Sequence, residues 1–135
     1  MMMSGGAEGG VRTLLRVEGA CVLFAAAWLY AQSGYGWGLF ALCFLAPDIA
    51  FLGYLAGPRV GAACYNATHA YVGPVACFVA GQLIAQPALF VAGLVWSAHV
   101  GFDRALGYGL KYASSFGDTH LGRIGRIGRV ARRAP

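Results

Sequence analysis

Between Glu18 and Asp48 the chain runs for 29 residues without an aspartate, glutamate, lysine or arginine, and between Arg59 and Asp103 for 43 more. One helix needs about 20 apolar residues to cross ~30 Å of hydrocarbon. Both runs exceed that, so each must contain a turn or be shared between two helices. Lipid offers the backbone no hydrogen-bond partner, which makes helices the natural reading of runs this long. The ~10-residue alternating segments of a membrane β-barrel are absent. Composition agrees: 59% of residues are hydrophobic and 11% charged, where a soluble domain carries about 25% charged residues.

Polar and glycine-rich breaks fall at Gln32 to Gly36, at Gly57-Pro58-Arg59 and at Gln82 to Pro87. They predict four helices, at about 14–32, 37–56, 60–82 and 88–106. The expected fold is an all-α membrane protein with four transmembrane helices in an up-down bundle. Residues 12–122 form this domain, after a glycine-rich, disordered N-terminus over 1–11 and before a basic tail over 123–135. All 10 basic residues lie at or before the start of the first helix, in the second loop, or at or after the end of the fourth helix. The positive-inside rule then puts both termini in the cytoplasm. A cleaved signal peptide is the weaker reading of the first helix, because its Ala25-Ala26-Ala27 is followed by bulky Leu29. Cys21, Cys43, Cys64 and Cys77 form no CxxC pair and read as packing residues.

Ionisable groups inside a membrane helix are costly and need a partner or a task. Glu18, Asp48, Asn66, His69, His99 and Asp103 all fall toward the cytoplasmic ends of their helices. Tyr65, Asn66 and His69 share one side of the third helix, and Trp96, His99 and Asp103 one side of the fourth. Pro47 loosens the second helix beside Asp48. A cavity open to the cytoplasm accounts for all of these. The bland alternative is a set of interhelical polar contacts, with Asp103 and Arg104 as an interfacial ion pair. After the fourth helix, Asp118 and His120 stand in a loop that could bend back under the bundle. The Arg123 to Arg133 tail reads as a contact for anionic lipid head groups. It has no aromatic platform for nucleic acid. Asp48 with Leu52-Gly53-Tyr54 and Asp103 with Leu106-Gly107-Tyr108 echo one another, a short match compatible with a parallel repeat or with coincidence.

Two strings carry a resemblance. One runs from Ala46-Pro47-Asp48 through Leu52-Gly53-Tyr54-Leu55-Ala56-Gly57-Pro58-Arg59-Val60-Gly61 to Tyr65-Asn66 and His69. The other joins His99-Val100-Gly101-Phe102-Asp103-Arg104 to Leu106-Gly107-Tyr108-Gly109-Leu110-Lys111-Tyr112 and Asp118-Thr119-His120-Leu121-Gly122. Together they resemble the small bacterial integral membrane family catalogued as domain of unknown function 4260, over roughly residues 12–124. The resemblance implies a four-helix protein of the bacterial inner membrane. It implies no activity and transfers no catalytic residue.

Two functions compete on the residues alone. The first is a metal-dependent, membrane-embedded hydrolase of a lipid or amphiphile. His69, His99, Asp103 and His120 would ligate Zn or another divalent metal, and Glu18 or Asp118 would act as base. Asp48, Tyr65, Asn66 and Arg59 would bind substrate. No HExxH or other compact ligand motif supports it. The alternative is a non-enzymatic, homo-oligomeric transporter, channel or ion binder using the same cavity. Bis-histidine haem is disfavoured, because helix rise sets His69 and His99 apart by about 7 Å in depth.

Overall fold

Apolar side chains without a buried position decide the outline of the protein. In the computed structural model, which describes residues 5–124, the helices are α1 (Gly9–Ala31), α2 (Trp37–Phe44), α3 (Pro58–His69), α4 (Val72–Leu83) and α5 (Pro87–Leu106). A 3₁₀ helix, Ala46–Ala56, joins α2 to α3, and a two-stranded antiparallel hairpin, β1 (Asp118–Thr119) and β2 (Gly122–Arg123), follows α5. Two stretches, Gly9–Ala31 and Trp37–Ala56, are long and apolar enough to cross a membrane. Only 17% and 6% of their most apolar windows are buried inside the protein. They are therefore not buried as core helices within this chain: Phe24, Leu42 and Leu55 are 73%, 75% and 88% exposed.

The central element is α5. Pro87 starts it without wasting a backbone donor, and Gly107 ends it in the left-handed conformation (φ 94°). Its C-terminal carbonyls are taken by the N–H groups of Gly107 and Tyr108. Helix α1 crosses it at Gly19 and Gly101. A Cβ on Gly101 would stand 2.6 Å from the Gly19 carbonyl and 2.8 Å from the Leu23 nitrogen, so the helices touch backbone to backbone. Farther along, Tyr30, Val91, Leu94 and Val95 form the buried apolar cluster, flanked by Phe40, Phe44, Phe78 and Phe90.

Three differences from the sequence-based expectation have physical causes. Helix α1 begins at Gly9 rather than near residue 14, so Arg12 and Arg16 lie within it and Gly5 to Ala7 dock on the C-terminal loop (Ala7 N–H to His120 O, 2.6 Å). The second helix tightens beyond Phe44 because Pro47 cannot donate to the carbonyl four residues back. The chain turns to shorter-range bonds such as Asp48 N–H to Leu45 O, 3.1 Å. The expected third helix divides into α3 and α4 at Ala70, whose backbone is extended. Pro74 can neither donate to the Ala70 carbonyl nor avoid it in a continuous helix, and Gly73 leaves room for the Trp96 ring. Each half is about 18 Å long, too short to span hydrocarbon alone.

The loops sort to two ends. Leu29, Gln32, Ser33 and Tyr35 meet Gln82, Ala85 and Pro87 around one cavity. At the opposite end the N-terminal segment meets the C-terminal loop, and Phe116 of that loop packs on Tyr54, just before the Gly57 turn. The basic tail from residue 125 onward, and the first four residues of the expected disordered N-terminus, lie outside the described residues.

Candidate metal centre

Helix α3 stops at His69, and stopping leaves carbonyls at its C-terminal end in need of donors. Helix α5 supplies them: Trp96 Nε1 donates to Thr68 O, and Arg104 Nη2 to His69 O at 2.8 Å. These bonds fix the end of α3 against α5 and bring His69 opposite His99 and Asp103, one turn apart. The 3₁₀ helix lies close along α3, with Gly53 against Cys64 and the Tyr54 ring against Gly61. Thr68 Oγ1 donates to Pro47 O at 3.1 Å, and the next residue, Asp48, turns toward the two histidines.

Four side chains converge. His69 Nε2 lies 3.0 Å from His99 Nε2. It lies 3.3 Å from Asp48 Oδ1 and 3.3 Å from Asp103 Oδ2. His99 Nε2 lies 3.2 Å from Asp48 Oδ1 and 3.6 Å from Asp103 Oδ2. All four donor atoms fall within 4.8 Å of one another. Ligands on a tetrahedron about 2.0–2.1 Å from a zinc ion are about 3.3–3.4 Å apart, close to the 3.0–3.6 Å of the five contacts that involve a histidine. The difference of about 7 Å in depth expected from helix rise does not keep the two rings apart, since their Nε2 atoms meet at 3.0 Å.

Both ring nitrogens of His69 are engaged. Its Nδ1 is 2.9 Å from the Tyr65 carbonyl, which can only accept, and 2.8 Å from Thr68 Oγ1. With its proton on Nδ1 and donated to the carbonyl, His69 would present an Nε2 lone pair beside the two carboxylates. A metal-ligating histidine is held in this way. Four donor atoms crowded together this closely could hold a metal ion among them. The Tyr65 ring stacks on His69 with centroids 3.8 Å apart and an interplanar angle of 8°. Its hydroxyl donates to Asp103 Oδ2 at 3.3 Å. Phe44 closes the far side against His99, whose Nδ1 is buried without a partner among the described residues. Exposure is graded across the cluster: the side chains of His69 and His99 are 0% and 3% exposed, Asp103 13% and Asp48 40%. Asp48 stands at the mouth.

The remaining candidate residues lie elsewhere. Asn66 makes paired hydrogen bonds with the backbone of Lys111, at 2.8 and 2.7 Å, and ties the C-terminal loop to α3. Arg59 is exposed in the first turn of α3. His120 stays out of the cluster: its Nδ1 accepts the Leu110 N–H at 2.8 Å, and burial, with the charge of Arg104, pushes its pKa below the usual histidine value. Asp118 accepts from Ser114 and Arg123 at 2.7 and 2.8 Å, which holds its carboxyl below the usual range. Glu18 lines a separate cavity. Arg104, anticipated as an ion-pair partner of Asp103, instead uses its N–H groups on carbonyls. Thr68 was overlooked; its position next to His69 was the only signal available.

Residues 12–124 match the family described as Domain of unknown function (DUF4260), and the chain belongs to it. No curated protein and no solved structure matches it.

Proposed function

For this member of a family without an assigned activity, we propose a multi-pass membrane metalloprotein that hydrolyses an ester bond of a lipid or other amphiphile at the cytoplasmic face of the bacterial inner membrane. The observation that carries the proposal is the spacing of Asp48, His69, His99 and Asp103, with His69 oriented as a metal ligand by the Tyr65 carbonyl. The three enclosed groups, His69, His99 and Asp103, are the protein ligands of a catalytic-type site, which leaves the fourth direction to the more exposed Asp48. A divalent metal there would lower the pKa of a bound water and polarise the scissile carbonyl or phosphoryl group. Asp48 takes the proton that water loses as it adds, and returns it to the departing alkoxide, so acid and alcohol leave in balance. Asp48 thus takes the base role expected of Glu18 or Asp118.

The same reading has the chain cross the membrane four times, with α3 and α4 together making the third passage. Both termini are cytoplasmic. The meeting of the N-terminal segment with the C-terminal loop supports this, as does the gathering of the first and third loops at the other end. Reporter fusions after Ser33 and Gln86 should report the outside and a fusion after Gly57 the inside.

One observation favours a second reading, a non-enzymatic metal binder or carrier. Asp48 stands as close to both Nε2 atoms as Asp103 does, and four filled positions make a closed site. Asp48→Asn separates the two. If Asp48 is the base, the variant keeps its metal and loses turnover of an ester-linked amphiphile by about 100-fold or more, the scale of a general base. If the metal leaves with the carboxylate, the binder reading holds.

A further inference from the structure

We propose that the cavity between α1, Tyr71 and the C-terminal end of α5 binds the head group of a zwitterionic phospholipid, its phosphate against Arg104 and its ammonium against Glu18. This rests on the membrane reading above but not on the metal. Gly101 and Arg104 face α1, whereas His99 and Asp103 on the same helix face α3.

The cavity holds about 450 Å³ and is lined by Leu15, Glu18, Val22, Tyr71, Arg104 and His120. Arg104 is 7% exposed. Its guanidinium gives one N–H to Tyr108 O at 3.1 Å and one to His69 O at 2.8 Å. The rest of the fork meets no acceptor among the described residues, although a guanidinium is suited to two phosphate oxygens at once. His120 accepts the Leu110 N–H on Nδ1, so its own proton sits on Nε2, a further donor on the cavity wall. Tyr71 adds a hydroxyl.

Glu18 makes the occupant zwitterionic rather than simply anionic. It is exposed, lines the same cavity, and forms no ion pair among the described residues. Opposite charges thus share one cavity without reaching each other. A phosphate and an ammonium joined by a short linker would satisfy both. The apolar wall of Leu15 and Val22 continues into the outward-facing side chains of α1, where acyl chains would lie. The cavity also lies at the end of the molecule where the termini meet, the head-group level of the four-pass arrangement.

The test uses the full chain in mild detergent, titrated with dihexanoyl-phosphatidylethanolamine, dihexanoyl-phosphatidylglycerol and inorganic phosphate, with bound ligand read by native mass spectrometry. The ethanolamine lipid should bind about 2- to 5-fold tighter than the glycerol lipid, which lacks the ammonium, and tighter than phosphate alone, the scale of one charge pair at an exposed carboxylate. Glu18→Gln, at an exposed position, should keep the wild-type melting midpoint and bring the ethanolamine lipid down to the affinity of the glycerol lipid. Arg104→Gln also removes bonds to two carbonyls, so the conclusion does not depend on it. Equal affinity for the two lipids, equal affinity for inorganic phosphate, or an unchanged Glu18→Gln would overturn the proposal. His99→Ala and chelator should leave lipid binding as it was, so failure of the metal reading remains distinguishable.

Discussion

Replacing Gly101 by alanine tests the packing that holds the metal ligands in place. The new methyl carbon would sit 2.6 Å from the Gly19 carbonyl oxygen, 2.8 Å from the Leu23 nitrogen and 3.3 Å from the Val22 Cβ. Ordinary contacts between such atoms are about 3.5–4.0 Å. The two closest obstacles are backbone, which has no rotamer to change, so α1 and α5 must part by roughly 1 Å. Overpacking of this kind costs about 1–3 kcal/mol. For a chain of this size that lowers the melting midpoint by roughly 4–12 °C. Gly38→Ala is the control: it lies in α2 with nothing within 4 Å of an added Cβ. It should leave the midpoint level or raise it slightly, since alanine favours a helix by up to about 1 kcal/mol over glycine. Thermal unfolding in detergent, followed by circular dichroism, measures both. His99 and Asp103 flank Gly101 on α5, so the same variant should also bind divalent metal more weakly. A Gly101→Ala midpoint equal to wild type, or an equal loss in Gly38→Ala, would refute the close crossing.

Thr68→Val keeps the shape of the side chain but removes the hydroxyl between Pro47 O and His69 Nδ1. It should cost about 1 kcal/mol of stability and weaken metal binding ~10- to 100-fold through loss of ligand orientation. Unchanged metal affinity by calorimetric titration would count against a role for Thr68 in positioning His69. His120 gives a pH dependence whose sign is determined by its lowered pKa. The unfolded chain takes up a proton near the usual histidine value of about 6.5, before the folded chain does. Stability is therefore full above that value and falls as pH drops through the lower folded pKa. Protonation also removes the acceptor for the Leu110 N–H. His120→Gln should flatten the slope of unfolding free energy between about pH 7 and 5, and an unaltered slope would assign it to other groups.

Much of the helix layout was legible because lipid-length apolar runs leave the backbone few choices. The partners of the cluster were visible only in part. The i, i+4 spacing of His99 and Asp103 declared a shared face, but the distance between Asp48 and His69 depends on how the 3₁₀ helix lies along α3. That contact is made by Gly53, Cys64, Tyr54 and Gly61, none of them a charged residue. The break at Ala70 had a signal in Gly73-Pro74, which the length of the apolar run obscured. His120 was a reasonable ligand by residue type. A single backbone donor, Leu110 N–H, engages its ring outside the cluster, and no pattern of side chains announces such a bond. Arg104 beside Asp103 suggested an ion pair, yet the unfilled carbonyls at the end of α3 have the stronger claim on a buried guanidinium.

The central claim is that Asp48, His69, His99 and Asp103 form one metal site. Its most direct test is the amount of divalent metal that the full-length protein retains after stripping with chelator, reloading with Zn²⁺ or Mn²⁺ and gel filtration in detergent. About one ion per chain is expected, with a rise in melting midpoint on loading because the native state alone assembles the site. A folded protein that retains no ion and whose midpoint is indifferent to every divalent metal would contradict it.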